Sequence, residues 1–135
     1  MEGLKRVYRF RKEERLCSEK AISGLFEQGK RMRAGCLQIV FSLYSDESAP
    51  PIQLLISVPK KQFRKAVTRN LLKRRIREAY RLNKIPLVTA LTRERKNLHL
   101  AILYNDKEVK EYFAIEGSWV QGVIKLLDII ENDAE

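Results

Sequence analysis

Ala66-Val67-Thr68-Arg69-Asn70-Leu71-Leu72-Lys73-Arg74-Arg75-Ile76-Arg77-Glu78-Ala79-Tyr80-Arg81-Leu82-Asn83 is predicted to be a helix with two different halves. It contains no Gly or Pro, and Pro86 lies just past its end. Val67, Leu71, Leu72, Ile76, Ala79 and Leu82 fall on one half of a helical wheel. Arg69, Lys73, Arg77 and Arg81 form an i, i+4 ladder on the other, flanked by Asn70 and Arg74, with Arg75 off the ladder. Like charges at that spacing repel by about 0.2–0.5 kcal/mol per pair. The only acid in the segment, Glu78, falls off the ladder, so the sequence gives the rungs no acidic partner. A solvated face is the plain alternative. An external polyanion explains the pattern better, because the planar fork of arginine donates two parallel hydrogen bonds to a phosphate.

Working outward, Ile52–Val58 before the helix and Leu98–Tyr104 after it are predicted strands. The second is nearly continuous in apolar character, hence central. Leu37–Tyr44 alternates apolar and polar residues and is a third strand. The turn-rich Ser45–Pro51 implies that it pairs antiparallel with 52–58. Ser18 caps a helix through Ala21, Ile22, Leu25 and Phe26, which Gly29 ends. A last helix spans about Val109–Ile130, with Ile115, Trp119, Val123, Leu126 and Ile130 on one face and Gly117 and Gly122 counting against its continuity. The order α-β-β-α-β-α implies an α+β fold, a single-domain two-layer sandwich in which three helices cover a small mixed sheet of three to four strands.

The chain of 135 residues suits one domain, 1–135, and at 44% hydrophobic it can bury a core. No apolar run has the length of a membrane span, and the charged N-terminus is no secretory signal. Two cysteines, Cys17 and Cys36, make no disulfide framework or metal cluster, so reduced thiols and a cytoplasmic location are expected. The single His99, inside an apolar strand, is expected to be a hydrogen-bonded strand residue. No Ser/His/Asp set, phosphate loop or carboxylate pair is visible, so no catalytic residue and no metal site are expected in this chain. Residues 60–84 carry net +10, equal to the whole chain's net charge, while 99–135 carry −5. That separation points to a polyanion held on one side, most often nucleic acid. Residues 1–15, with Lys5, Arg6, Tyr8, Arg9, Phe10, Arg11 and Lys12, form a basic N-terminal arm that is either frayed or in contact with RNA.

Ser57-Val58-Pro59-Lys60-Lys61, followed by Ala66 to Glu78 with its Arg-Asn, Lys-Arg and Arg at fixed spacing, resembles the signature of the protein subunit of bacterial ribonuclease P. The match is close over about twenty residues of this sequence, and element order and length agree over most of the rest. The resemblance implies a subunit that binds a large catalytic RNA together with precursor tRNA. The RNA would carry out the magnesium-dependent hydrolysis that removes the 5′ leader, with no cofactor held by the protein and no obligate protein partner. It also implies a left-handed βαβ crossover through the 66–83 helix, an exception to the usual hand. Arg69, Asn70, Lys73, Arg74 and Arg77 match the family's basic helix, with Arg81 as the next rung of the ladder, and Lys60 and Lys61 match its Lys pair. Phe26 matches an aromatic of the cleft that receives the single-stranded leader, with Phe41 expected on the cleft floor. A second aromatic common in the family is Ile22 here, which leaves apolar contact without stacking. Small residues common after the Lys pair are Arg64 and Lys65 here.

Taken from the residues alone, core packing on an apolar helix face is the default for Phe26, and the resemblance brings the cleft reading level with it. A ribosomal or RNA-assembly protein without a nuclease partner is the alternative function. A duplex DNA binder fits less well, because a strand and a Lys pair precede the basic helix where a scaffold helix and short turn belong.

Overall fold

A computed structural model describes residues 12–132. After a 3-10 turn at Lys12–Glu14 come helix α1 (Glu19–Gln28), strands β1 (Lys30–Ala34), β2 (Leu37–Tyr44) and β3 (Ile52–Ser57), helices α2 (Ala66–Asn83) and α3 (Ile85–Glu94), strand β4 (Asn97–Tyr104) and helix α4 (Tyr112–Asn132). The sheet order is β1-β2-β4-β3. β1 and β2 are antiparallel, β2 and β4 antiparallel, and β3 and β4 parallel, so the sheet is mixed. The α+β class holds, with four strands and four helices among the described residues.

The expected hairpin of 37–44 with 52–58 is not formed, because β4 lies between the two strands. The 45–51 connection instead passes over the start of β4, and the buried Asn97 fastens it there. Its side-chain oxygen accepts from the Asp46 N–H at 2.9 Å, and its amide donates to the carbonyls of Ala49 and Pro50 at 3.2 and 3.0 Å. The Leu98 N–H adds a 2.8 Å bond to the Pro51 carbonyl. The central place predicted for 98–104 is observed, and most of β4 is buried.

α2, α3 and α4 pack on one face of the sheet. Leu72, Ile76, Tyr80, Leu87, Leu91, Ile115, Trp119 and Leu126 meet Leu37, Ile39, Phe41, Leu100 and Ile102 there. α1 covers the other face through Leu25, against Leu16, Val40 and Ala101. Two elements were absent from the sequence reading. β1 is short and basic, and α3 begins at the proline taken as a helix stop. Pro86 stands in the first turn of α3, where its missing N–H costs nothing. α4 runs unbroken despite its two glycines. Gly122 is buried where α4 crosses the sheet, and a Cβ there would collide with Ile39. Gly35, in the β1–β2 turn at φ 56°, adopts the left-handed conformation directly beneath Ser118.

Residues 12–15, taken with the basic arm, lie against the fold. The Leu16 N–H bonds the Leu54 carbonyl at 2.9 Å, and Arg15 bridges Leu54 in parallel. Glu14 pairs at 2.9 Å with Lys84, which is 3% exposed at the α2–α3 junction. The remainder of the arm, 1–11, lies outside the described residues.

Candidate RNA interface

The roll of α2 is set by Leu72, Ile76, Ala79 and Tyr80, all buried. Burial, and secondarily the charge of Glu14, pushes the Tyr80 phenol far above its usual range. Including Tyr80 in the buried face turns the helix away from the roll expected from sequence. Val67 and Leu82, assigned to the buried half, are 80% and 41% exposed. The same turn leaves Asn70, Arg74 and Arg77 exposed.

The four rungs of the ladder divide. Arg69 is partly buried and donates from one Nη to the carbonyls of Phe63 and Arg64, at 2.8 Å each. It thereby holds the segment between β3 and α2, which Phe63 anchors in the core with its ring edge-on to Tyr104. Arg81 pairs with Glu78 at 2.6 Å, so the last rung has the acidic partner that the sequence reading denied it. An i, i+3 step brings the two together although Glu78 lies off the ladder. The Glu78 hydrogen bond raises the Arg81 pKa further. Arg75, off the ladder, donates to the Lys110 carbonyl at 2.5 Å. Lys73, Arg74 and Arg77 make no ion pair or hydrogen bond among the described residues. Lys60 and Lys61 are exposed in the turn after β3, followed by exposed Arg64 and Lys65. The side chains left available to an anion are therefore Lys73, Arg74 and Arg77, with these lysines and Arg64 upstream.

The second feature lies on the α1 face. Ser18 Oγ accepts from the Ala21 N–H at 3.3 Å and starts α1, and the Gly29 N–H closes it on the Leu25 carbonyl at 2.8 Å. Ile22 and Phe26 are half-buried and pack with Leu55 and Leu103 around the small cluster beneath α1. Phe41 is not part of this floor. It is 3% exposed and belongs to the main core on the opposite face of the sheet. Successive strand residues point to opposite faces, so the floor residue in β2 is Val40.

β1 adds what the sequence reading missed. Arg31 pairs in register with Val40 and Arg33 with Gln38, which puts both arginines on the α1 face at the sheet edge. Arg31 donates to the Phe26 carbonyl at 3.0 Å, and its guanidinium lies 5.8 Å from the centre of the Phe26 ring. The period-two alternation of Arg31 and Arg33 with Met32 and buried Ala34 was the available signal. His99, further along this face, shares a 3.1 Å hydrogen bond with Gln53, and burial lowers its pKa.

The family model for ribonuclease P matches residues 10–112. The ribonuclease P protein component of Porphyromonas gingivalis is 33% identical over 123 residues, which cover 91% of this chain and 90% of that protein. The corresponding component of a Picosynechococcus species is 36% identical over 108 residues, covering 78% of this chain and 84% of the relative. The solved ribonuclease P protein of Thermotoga maritima superposes with a TM-score of 0.65 at 21% identity, covering 83% of this chain and 96% of that one. That of Staphylococcus aureus gives 0.64 at 19%, covering 87% and 97%. The two structures share the fold described above, and the sequence matches extend through the basic helix: the chain belongs to the ribonuclease P protein family.

Proposed function

We propose that the protein assists tRNA 5′-end formation by holding two RNAs at once: the catalytic RNA along the exposed cations of α2, and the leader of precursor tRNA in the cleft between α1 and the sheet. The observation that carries this reading is that Lys73, Arg74 and Arg77 stand without a carboxylate partner among the described residues, on a helix whose other side is locked in the core. Their mutual repulsion is relieved when phosphates lie between them, with release of condensed counterions. In the cleft, a base stacks on Phe26 while Ile22, Leu55 and Leu103 supply apolar contact. The protein's contribution is positional. Contacts to a leader that mature tRNA lacks favour the substrate over the product.

Magnesium, in this reading, acts within the RNA-based reaction. Among the described residues no three His, Cys, Asp or Glu side chains are placed to share a metal ion. We place the activity in the cytoplasm.

The reading is tested at Phe26. On holoenzyme, Phe26→Ala is expected to weaken precursor tRNA binding by about 1–3 kcal/mol and leave mature tRNA nearly unaffected. Ile22→Phe is expected to tighten the precursor. Equal losses for both tRNAs, in a Phe26→Ala protein shown folded by circular dichroism, remove Phe26 from the leader site.

A further inference from the structure

We propose that the solvent face of α4 is a self-association surface that takes a second copy of this chain, packed antiparallel across a two-fold axis between Gly117 and Val120. Phe113, Gly117, Val120 and Ile124 recur at i, i+4, i+7 and i+11, which sets them in one stripe ~16 Å long down the helix. Phe113 is 78% exposed and Ile124 63%, and a Cβ at Gly117 would meet open space. A lone exposed apolar side chain needs no explanation, whereas a contiguous row on one face marks a contact surface. Between 113 and 127 the helix has two ionisable side chains, and both are turned off the stripe. Glu116 accepts from the Tyr112 hydroxyl at 3.0 Å and from the Asn83 amide at 3.2 Å, and Lys125 donates to the Arg33 carbonyl at 2.9 Å.

The face is complementary to itself, and this identifies the occupant. About an axis between Gly117 and Val120, an antiparallel second copy sets its Ile124 on Phe113 and its Val120 over Gly117, so the one position of the stripe without a side chain receives one. Lys110, just ahead of the first turn, and Asp128, near the end of the helix, stand at nearly equal distances on either side of that axis. Each Lys110 is thereby brought near Asp128 of the other copy, giving two reciprocal pairs of opposite charge. In the single chain Lys110 lies 3.3 Å from Glu108, and Asp128 accepts from Asn132 at 2.9 Å; both bonds are at the surface, so neither side chain is tied into the core. A stripe on one helix is smaller than the ~1,200 Å² of a stable interface, and the dimer is a weak one whose population rises with concentration. It leaves RNA binding open. α4 packs over β1 and β2, whereas Lys73 and Arg77 overhang the groove beside β3, at the other edge of the sheet.

The test is sedimentation equilibrium of the full chain, freed of nucleic acid, from about 10 µM to about 1 mM. The expected result is an average mass that rises toward that of a dimer across this range. Phe113→Glu and Ile124→Glu change exposed positions, so each is expected to fold normally by circular dichroism and to remain monomeric. Lys110→Glu and Asp128→Lys are each expected to weaken the dimer several-fold, and the Lys110→Glu/Asp128→Lys double variant, which restores opposite charges across the axis, is expected to recover it. A chain that stays monomeric to 1 mM overturns the proposal and leaves the stripe to a different protein. A dimer that survives both glutamate variants, or a double variant no better than the single ones, overturns it as well. Binding of Ile124→Glu to a bacterial ribonuclease P RNA is measured in parallel and is expected to be unchanged. Loss of that binding in the folded variant would assign the face to RNA and contradict a second copy.

Discussion

Arg69, Lys73, Arg77 and Arg81 share a spacing and differ in what their guanidinium or ammonium groups touch. Lys73→Ala, Arg74→Ala and Arg77→Ala are each expected to weaken assembly with the catalytic RNA and to reduce the slope of log K against log salt by about one. Arg69→Ala is expected to act through the fold, costing roughly 1–2 kcal/mol in thermal or denaturant unfolding, because two loop carbonyls lose their charged donor. Arg75→Ala leaves the salt slope unchanged, since that side chain is committed to Lys110. Titrations at several salt concentrations, paired with melts, separate these classes. His99 gives a pH test. Burial lowers its pKa below 6.5, so the unfolded chain holds the proton more tightly. Its stabilising contribution is complete above that value and is lost as the pH falls below it. His99→Gln is expected to flatten the stability loss between about pH 7 and pH 5. The ladder was legible in the sequence because i, i+4 spacing needs no tertiary information. Its division was not. Tyr80 is amphipathic, and only its burial fixes the roll of the helix. The partner of Arg69 is backbone, which no side-chain pattern reveals.

At the scale of elements, legibility followed hydrophobic periodicity. The strands 37–44 and 98–104 and the helices 66–83 and 19–28 have clear periods, and the structure places them within a residue or two of expectation. β1 was missed because a five-residue edge strand rich in Lys and Arg resembles a loop, although that composition also guards an edge against pairing with another chain. The false hairpin arose from loop length. Seven residues between two strands suggest adjacency, but here the same loop spans an intervening strand, held by Asn97. Asn97→Ala is expected to cost about 1–3 kcal/mol in chemical denaturation, because it orphans backbone groups at the end of the central strand. A neutral result would show that the loop is fastened otherwise. Gly122→Leu tests the docking of α4. The close approach to Ile39 and Trp119 leaves no room, so overpacking of about 1–3 kcal/mol or more is expected.

At the scale of the whole molecule, the fold concentrates positive charge on one helix and supports that helix with a core on its other side. The sheet then presents a second, more apolar surface under α1, with Phe26 and Arg31 at its rim. Composition alone indicated a polyanion. The wording of residues 57–78 indicated which family, and the family match agrees. The surface under α1 was only half legible: the family resemblance singled out Phe26 and Ile22, but the strand residues beneath them depend on which strands pair and in which register. The central claim is that this protein raises the performance of a catalytic RNA by offsetting phosphate repulsion through Lys73, Arg74 and Arg77. It is tested most directly by the rate of precursor tRNA 5′ cleavage by a bacterial ribonuclease P RNA at low magnesium. The comparison is no protein, wild-type protein, and a folded Lys73→Ala/Arg74→Ala/Arg77→Ala variant. The account predicts clear stimulation by the wild type and little by the variant. Cleavage that the wild type does not stimulate, or that the triple variant stimulates equally, would contradict it.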